Sequence, residues 1–130
     1  MLLTNDQAEG IVVIAHGYIS RKFCFETFNC VHFVREVYSK AGIDFPRLAK
    51  DLPPPADFHL SSEKFAEMPI GHSAFFKRRG SKLVNRLWTH VAIVFGENEL
   101  IHCTRNLGDG VVITPRPIFL EMYVLSPLTD

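Results

Sequence analysis

The spacing of apolar and polar residues changes about a third of the way along the chain and again beyond residue 70. Near the start, Ala8, Ile11, Val12, Ala15, Tyr18 and Ile19 recur at helical spacing. That is the pattern of a helix with one buried face. Thr4-Asn5-Asp6-Gln7 ahead of it has the form of a capping box, with Thr4 as N-cap and Gln7 reaching back. A helix is predicted over about residues 5–19. A second is predicted over 30–41. Cys30, Val34, Val37 and Ala41 share a face flanked by Val31 and Tyr38, while Arg35, Glu36 and Lys40 point away. Asn29 is its cap, and Gly42 sits where a left-handed residue is wanted.

The middle of the chain has neither period. Pro53 to Pro55 rule out regular structure in the stretch DFPRLAKDLPPPADFHL, and a loop this long in a small domain is often functional. A short helix is predicted near Ser62 to Glu67. Then come short β-rich runs separated by turn residues: HSAFFK, THVAIVFG, ELIHCT, GVVITP and a final EMYVLS. Helices followed by an antiparallel meander make an α+β pattern. There is no internal repeat, and residues 1–130 read as one domain.

Composition changes this picture little. Hydrophobic residues make up 47%, with eleven Phe, enough for a packed core, and the formal net charge is zero. Nothing global points to nucleic acid or to an anionic membrane. The longest apolar run near the start, Ile11 to Ala15, is too short to span a bilayer. The first residues lack the basic start of a signal peptide and carry Asp6 and Glu9. Three cysteines, Cys24, Cys30 and Cys103, make no disulfide framework, and reduced thiols are the simpler reading. Their spacing matches no zinc pattern, and no metal site is expected.

The candidate chemistry begins at Cys30. The start of a helix offers unpaired N–H groups and the positive end of the macrodipole. Both favour a thiolate, lowering a free-thiol value of ~8.5 by one to several units, and the N–H groups can also face an oxyanion. A lone cysteine on an apolar helix face is more often a small core residue. His90 and His102 shift that balance, because each interrupts an apolar strand on either side of the turn at GENE. One can act as general base, the other as the acceptor that orients it. Register sets a condition. A two-residue turn at Glu97-Asn98 would place His102 opposite Ile93, on the face away from His90. Co-facing histidines therefore require an odd-length turn or a bulge, with Gly96 the expected place. Cys103 alternates with His102 and is expected to face away from the site. His32, two residues from Cys30 in a helix, cannot be the base. It is grouped with His16, His59 and His72 as surface or structural. Trp88, just before His90, is a candidate wall of the cleft, and Asn29, beside the nucleophile, a candidate substrate contact. The basic stretch KRRGSK, Lys77 to Lys82, is expected to be solvated.

These segments resemble the NlpC-type cell-wall peptidases, which are papain-like cysteine peptidases. FNCVHFVREVYSKAGIDFPR is similar to their nucleophile segment, THVAIVFGENELIHCTRNLGDGVVI to their histidine hairpin, and MPIGHSAFF to the strand before it. The resemblance covers about residues 15 to 115, and its strength lies in the order Cys, His, His with a twelve-residue step between the histidines. It implies a compact α+β fold with a central antiparallel sheet, and cleavage of amide bonds in peptidoglycan stem peptides, often between D-glutamate and a diamino acid. It implies Cys30 as nucleophile, His90 as base and His102 as the orienting residue, with no metal or organic cofactor. It also makes Tyr18 the counterpart of an upstream tyrosine that contacts substrate. The chain departs from the pattern in having Asn29 for Asp, Val31-His32 for Ser-Gly, and His72 for the Asp of the strand motif. The partner expected is a peptidoglycan peptide, with action at the bacterial wall as a phage component, an injected effector or a trimmed secreted protein. A monomer is expected. Two other readings are a catalytically inactive scaffold of the same fold and a thiol acyltransferase. The related lipid acyltransferases place the histidine before the cysteine, the reverse of the order here.

Overall fold

A computed structural model describes residues 2–81 and 86–127. Helix α1 runs Asn5–His16, shorter at its end than expected, and the Thr4/Gln7 capping box forms at both bonds. Helix α2 spans Cys30–Lys40 with Asn29 as cap, and Gly42 beyond it has φ +78°, the left-handed turn that closes the helix. Helix α3 is Ser62–Ala66. Strands β1 (Ser73–Arg78), β2 (His90–Gly96), β3 (Glu99–Thr104) and β4 (Gly110–Pro115) follow. Helix α4 (Arg116–Met122) and strand β5 (Tyr123–Leu125) complete the described elements. The sequence pattern missed α4. Its start carries Pro115 and Pro117, which read as breakers but suit a first helical turn, where a missing N–H costs nothing.

The five strands form one antiparallel sheet in the order β4-β3-β2-β1-β5. Alternation along the strands feeds two cores. Phe75, Val91, Ile93, Ile101, Cys103 and Val111 pack against α1 and α2, with Ile11, Ala15, Phe33, Val34 and Val37. Phe76, Ala92, Val94 and Leu100 pack on the other face with Phe65 of α3, Phe119 of α4 and Tyr123. Each Val, Leu, Ile or Phe among them contributes about 1.5–3 kcal/mol on burial, so the sheet is held from both sides.

The long middle segment is tied to the sheet end. Lys50 O accepts from the Leu87 N–H at 2.7 Å, and Trp88 Nε1 donates to Leu52 O at 3.1 Å. Residues 43–58 contain no helix or strand, as the prolines dictate.

Candidate active site

Cys30 is the first residue of α2. A small turn, closed by the Cys24–Phe28 bridge, delivers the chain to Asn29. The Asn29 side chain donates to Phe25 O at 2.9 Å and accepts from the N–H groups of Val31 (3.0 Å) and His32 (3.2 Å). His32 Nδ1 in turn accepts from the Asn29 N–H at 3.3 Å. Val31-His32 is thus part of a reciprocal cap and does not line the cleft.

The two histidines share a face because the β2–β3 hairpin bulges. Ile93 pairs with Ile101 and Val94 with Leu100, while Gly96 pairs with Glu99, so Phe95 is the extra residue. Of the two expected solutions, an odd-length turn or a bulge, the chain uses the bulge, next to the expected Gly96. His90 Nε2 lies 2.7 Å from His102 Nδ1, and His102 Nε2 lies 2.8 Å from Thr114 Oγ1 on β4. Tyr123 stacks on the His90 ring at 4.7 Å, and Phe119 packs edge-on to His102 at 5.0 Å. His102 is wholly buried and His90 nearly so.

Sulfur and imidazole come from opposite faces of the sheet. The histidines lie on the α4 face, whereas Cys30 belongs to the core on the α2 face. They meet at the start of β2, where Cys30 and His90 line one cleft of about 300 Å³. The Val91 N–H reaches the Cys30 sulfur from the same strand end. A larger hollow of about 560 Å³ on the outer side of α2 contains neither group and is a surface trough.

Burial corrects the expected thiol. It pushes Cys30 up from its ordinary value, opposed by the Lys50 charge and by the N–H groups of Val91, Val31 and Cys30 itself. Burial also holds His90 well below the usual imidazole range, helped by His102 and Lys50, and lowers His102 to about 3. Both shifts favour the uncharged forms, a thiol and a neutral imidazole. The helix start alone suggested a thiolate because its N–H groups are legible in sequence and its burial is not.

The other expected residues divide. Asn29 lines the cleft. Trp88 does not. It is buried in the core, edge-on to Phe75 at 4.9 Å, and its indole N–H anchors the Pro-rich segment. Tyr18 is not brought to the cleft either. It packs among Phe28 and Phe33 with Arg21 and Lys40 over its ring. Cys103 faces away from His102 as expected, but this turns it toward α2, where it lines the cleft beside Cys30. His59 is structural, accepting from the Phe75 N–H at Nδ1 and bonding Ser126 O at Nε2. All three cysteines are free.

Sequence reasoning missed the charge of this cleft. Lys50, Arg78, Arg86 and Arg105 line it, and no carboxylate does among the described residues. They come from four separate segments, two of them flanking the Lys77–Lys82 stretch or within it, so only the fold collects them. Lys82 itself lies outside the described residues.

No protein-family model matches the sequence, and no curated protein does. Solved structures do match. One is a lipoprotein-like NLP/P60-family protein of Staphylococcus aureus, with TM-score 0.69 and 22% identity over 100% of this chain and 44% of that one. Another is an NlpC/P60-family protein of Bacillus cereus, with TM-score 0.69 and 22% identity over 92% of this chain and 39% of that one. The chain has an NlpC-type α+β fold. It spans less than half the length of either structure.

Proposed function

We propose that the protein is a cysteine peptidase or amidase that hydrolyses amide bonds in bacterial peptidoglycan stem peptides, of the D-glutamyl–diamino acid type. The observation that carries the reading is one cleft lined by a thiol at a helix start and an imidazole whose far nitrogen is held by a second imidazole. Because His90 Nε2 is committed to His102, Nδ1 is the nitrogen left for the thiol proton. Cys30 Sγ attacks the scissile carbonyl carbon as His90 takes that proton. The Cys30 N–H faces the developing oxyanion. Collapse breaks the C–N bond, and His90 returns the proton to the leaving amine. Water, deprotonated by His90, then cleaves the thioester to a carboxylate and restores the thiol. The cationic lining suits a peptide that carries free carboxylates near the bond, as stem peptides do.

Purified peptidoglycan fragments incubated with the protein and with Cys30→Ala, with products read by mass spectrometry, test this. Cleavage by the parent and none by the variant is the expected result and identifies the bond. Equal turnover by both removes Cys30 as nucleophile, and no turnover by the parent favours a binding role for the same cleft.

A further inference from the structure

The hydrogen-bonded line does not end at the second histidine. His90, His102 and Thr114 lie on three neighbouring strands, each twelve residues after the last, joined at 2.7 and 2.8 Å. All three are buried, with Tyr123 stacked on His90 and Phe119 packed against His102. We infer that Thr114 is a positioning residue whose hydroxyl oxygen serves as the terminal acceptor of this line and thereby permits the tautomer in which Nδ1 of His90 is bare beside Cys30. The inference rests on reading Cys30 and His90 as nucleophile and base.

Two neutral rings in series can donate in either of two directions. In one, His90 Nε2–H donates to His102 Nδ1, and His102 Nε2–H donates to Thr114 Oγ1. His90 Nδ1 is then bare and can take the thiol proton. In the other, His102 Nδ1–H donates to His90 Nε2, and the single proton of His90 sits on Nδ1, where it blocks base catalysis. The first direction needs an acceptor for the His102 Nε2–H. That ring is fully buried with Phe119 packed edge-on to it, and a stranded N–H there is costly. Thr114 Oγ1 is the acceptor in place; its hydroxyl also satisfies the opposite direction by donating to a bare Nε2, so threonine permits the first direction and an apolar residue there disfavours it. Donation in this direction is reinforced when His90 becomes cationic, because charge strengthens each bond in the line.

Thr114→Val removes the acceptor at nearly constant volume, and Thr114→Ser keeps it. Nitrogen-15 NMR of the histidine rings reads the tautomers in the free protein, with no substrate. The parent and Thr114→Ser are expected to hold both histidines as Nε2–H, and Thr114→Val to move them toward Nδ1–H. On the cleaved peptide, kcat of Thr114→Val is expected to fall about tenfold or more with KM little changed, and serine to restore it. Unchanged tautomers in the valine variant overturn the inference, as does equal loss of kcat in both variants. If the parent cleaves no stem peptide, the proposed function fails while the tautomer readout still decides the role of Thr114.

Discussion

At the scale of single residues, the two cysteines nearest the start of α2 invert the order a sequence suggests. Cys24 is exposed, and the hydroxyl and N–H of Thr27 together with the Glu26 N–H lower its thiol. Cys30 is enclosed, and burial raises its own. The thiolate is the reactive form, so a raised value means less of it at any given pH. With iodoacetamide, Cys24 is expected to label first near neutral pH. Cys30 should follow only as pH climbs beyond the ordinary thiol range of ~8.5, its rate rising about tenfold per unit. Peptide mapping after timed labelling checks this. Faster labelling of Cys30 at pH 6 would contradict a neutral resting pair. Such a pair fits a mechanism in which the base removes the proton during attack.

At the scale of elements, the site depends on where strands begin and how they register. His90 opens β2 and therefore lies at an end of the sheet, where it lines one cleft with Cys30 from the other face. The bulge at Phe95 lets a tight turn coexist with a pairing that puts His90 and His102 on one side. Strand β4 carries Thr114, and its start is pinned by Gly110. There φ is +124°, and a Cβ would lie 2.0 Å from Arg21 O, in the segment that bonds Val111 in both directions. Gly110→Ala is expected to lower stability by about 3 kcal/mol, read as a shift in the urea midpoint. Wild-type stability in that variant would show that the Arg21–Val111 contact yields easily.

At the scale of the whole molecule, buried neutral groups set a pH window. His59, His90 and His102 are all lowered by burial. Their unfolded value is ~6.5, so below that pH the unfolded chain binds more protons. Their contribution is complete above pH ~6.5 and is lost as pH falls, by up to about 1.4 kcal/mol per unit for each. Burial raises Cys30, and it raises Cys103 to about 12. Their contribution is complete below the unfolded thiol value of ~8.5 and is lost as pH rises. Calorimetric melting is expected to plateau between about pH 6.5 and 8.5 and to fall on both sides. A melting temperature that rises from pH 6.5 to 5 would refute this.

Local order was written in the chain. Thr4 and Gln7, Asn29, Gly42 and the period-two runs each act through near neighbours, so they set the helix starts and the strands ELIHCT and GVVITP to the residue. The irregular hairpin was legible too, because side-chain alternation lets His90 and His102 face together only through an odd-length turn or a bulge; the structure took the bulge. Tertiary structure alone decided what depends on distant segments. It turned Cys103 toward the cleft, withdrew Tyr18 and Trp88 into packing, and gathered Lys50, Arg78, Arg86 and Arg105 along the cleft wall. It also buried the thiol, reversing the effect of its helix. Hydrogen bonds and periodicity act over a few residues, whereas burial and convergent charge are sums over everything the fold brings near.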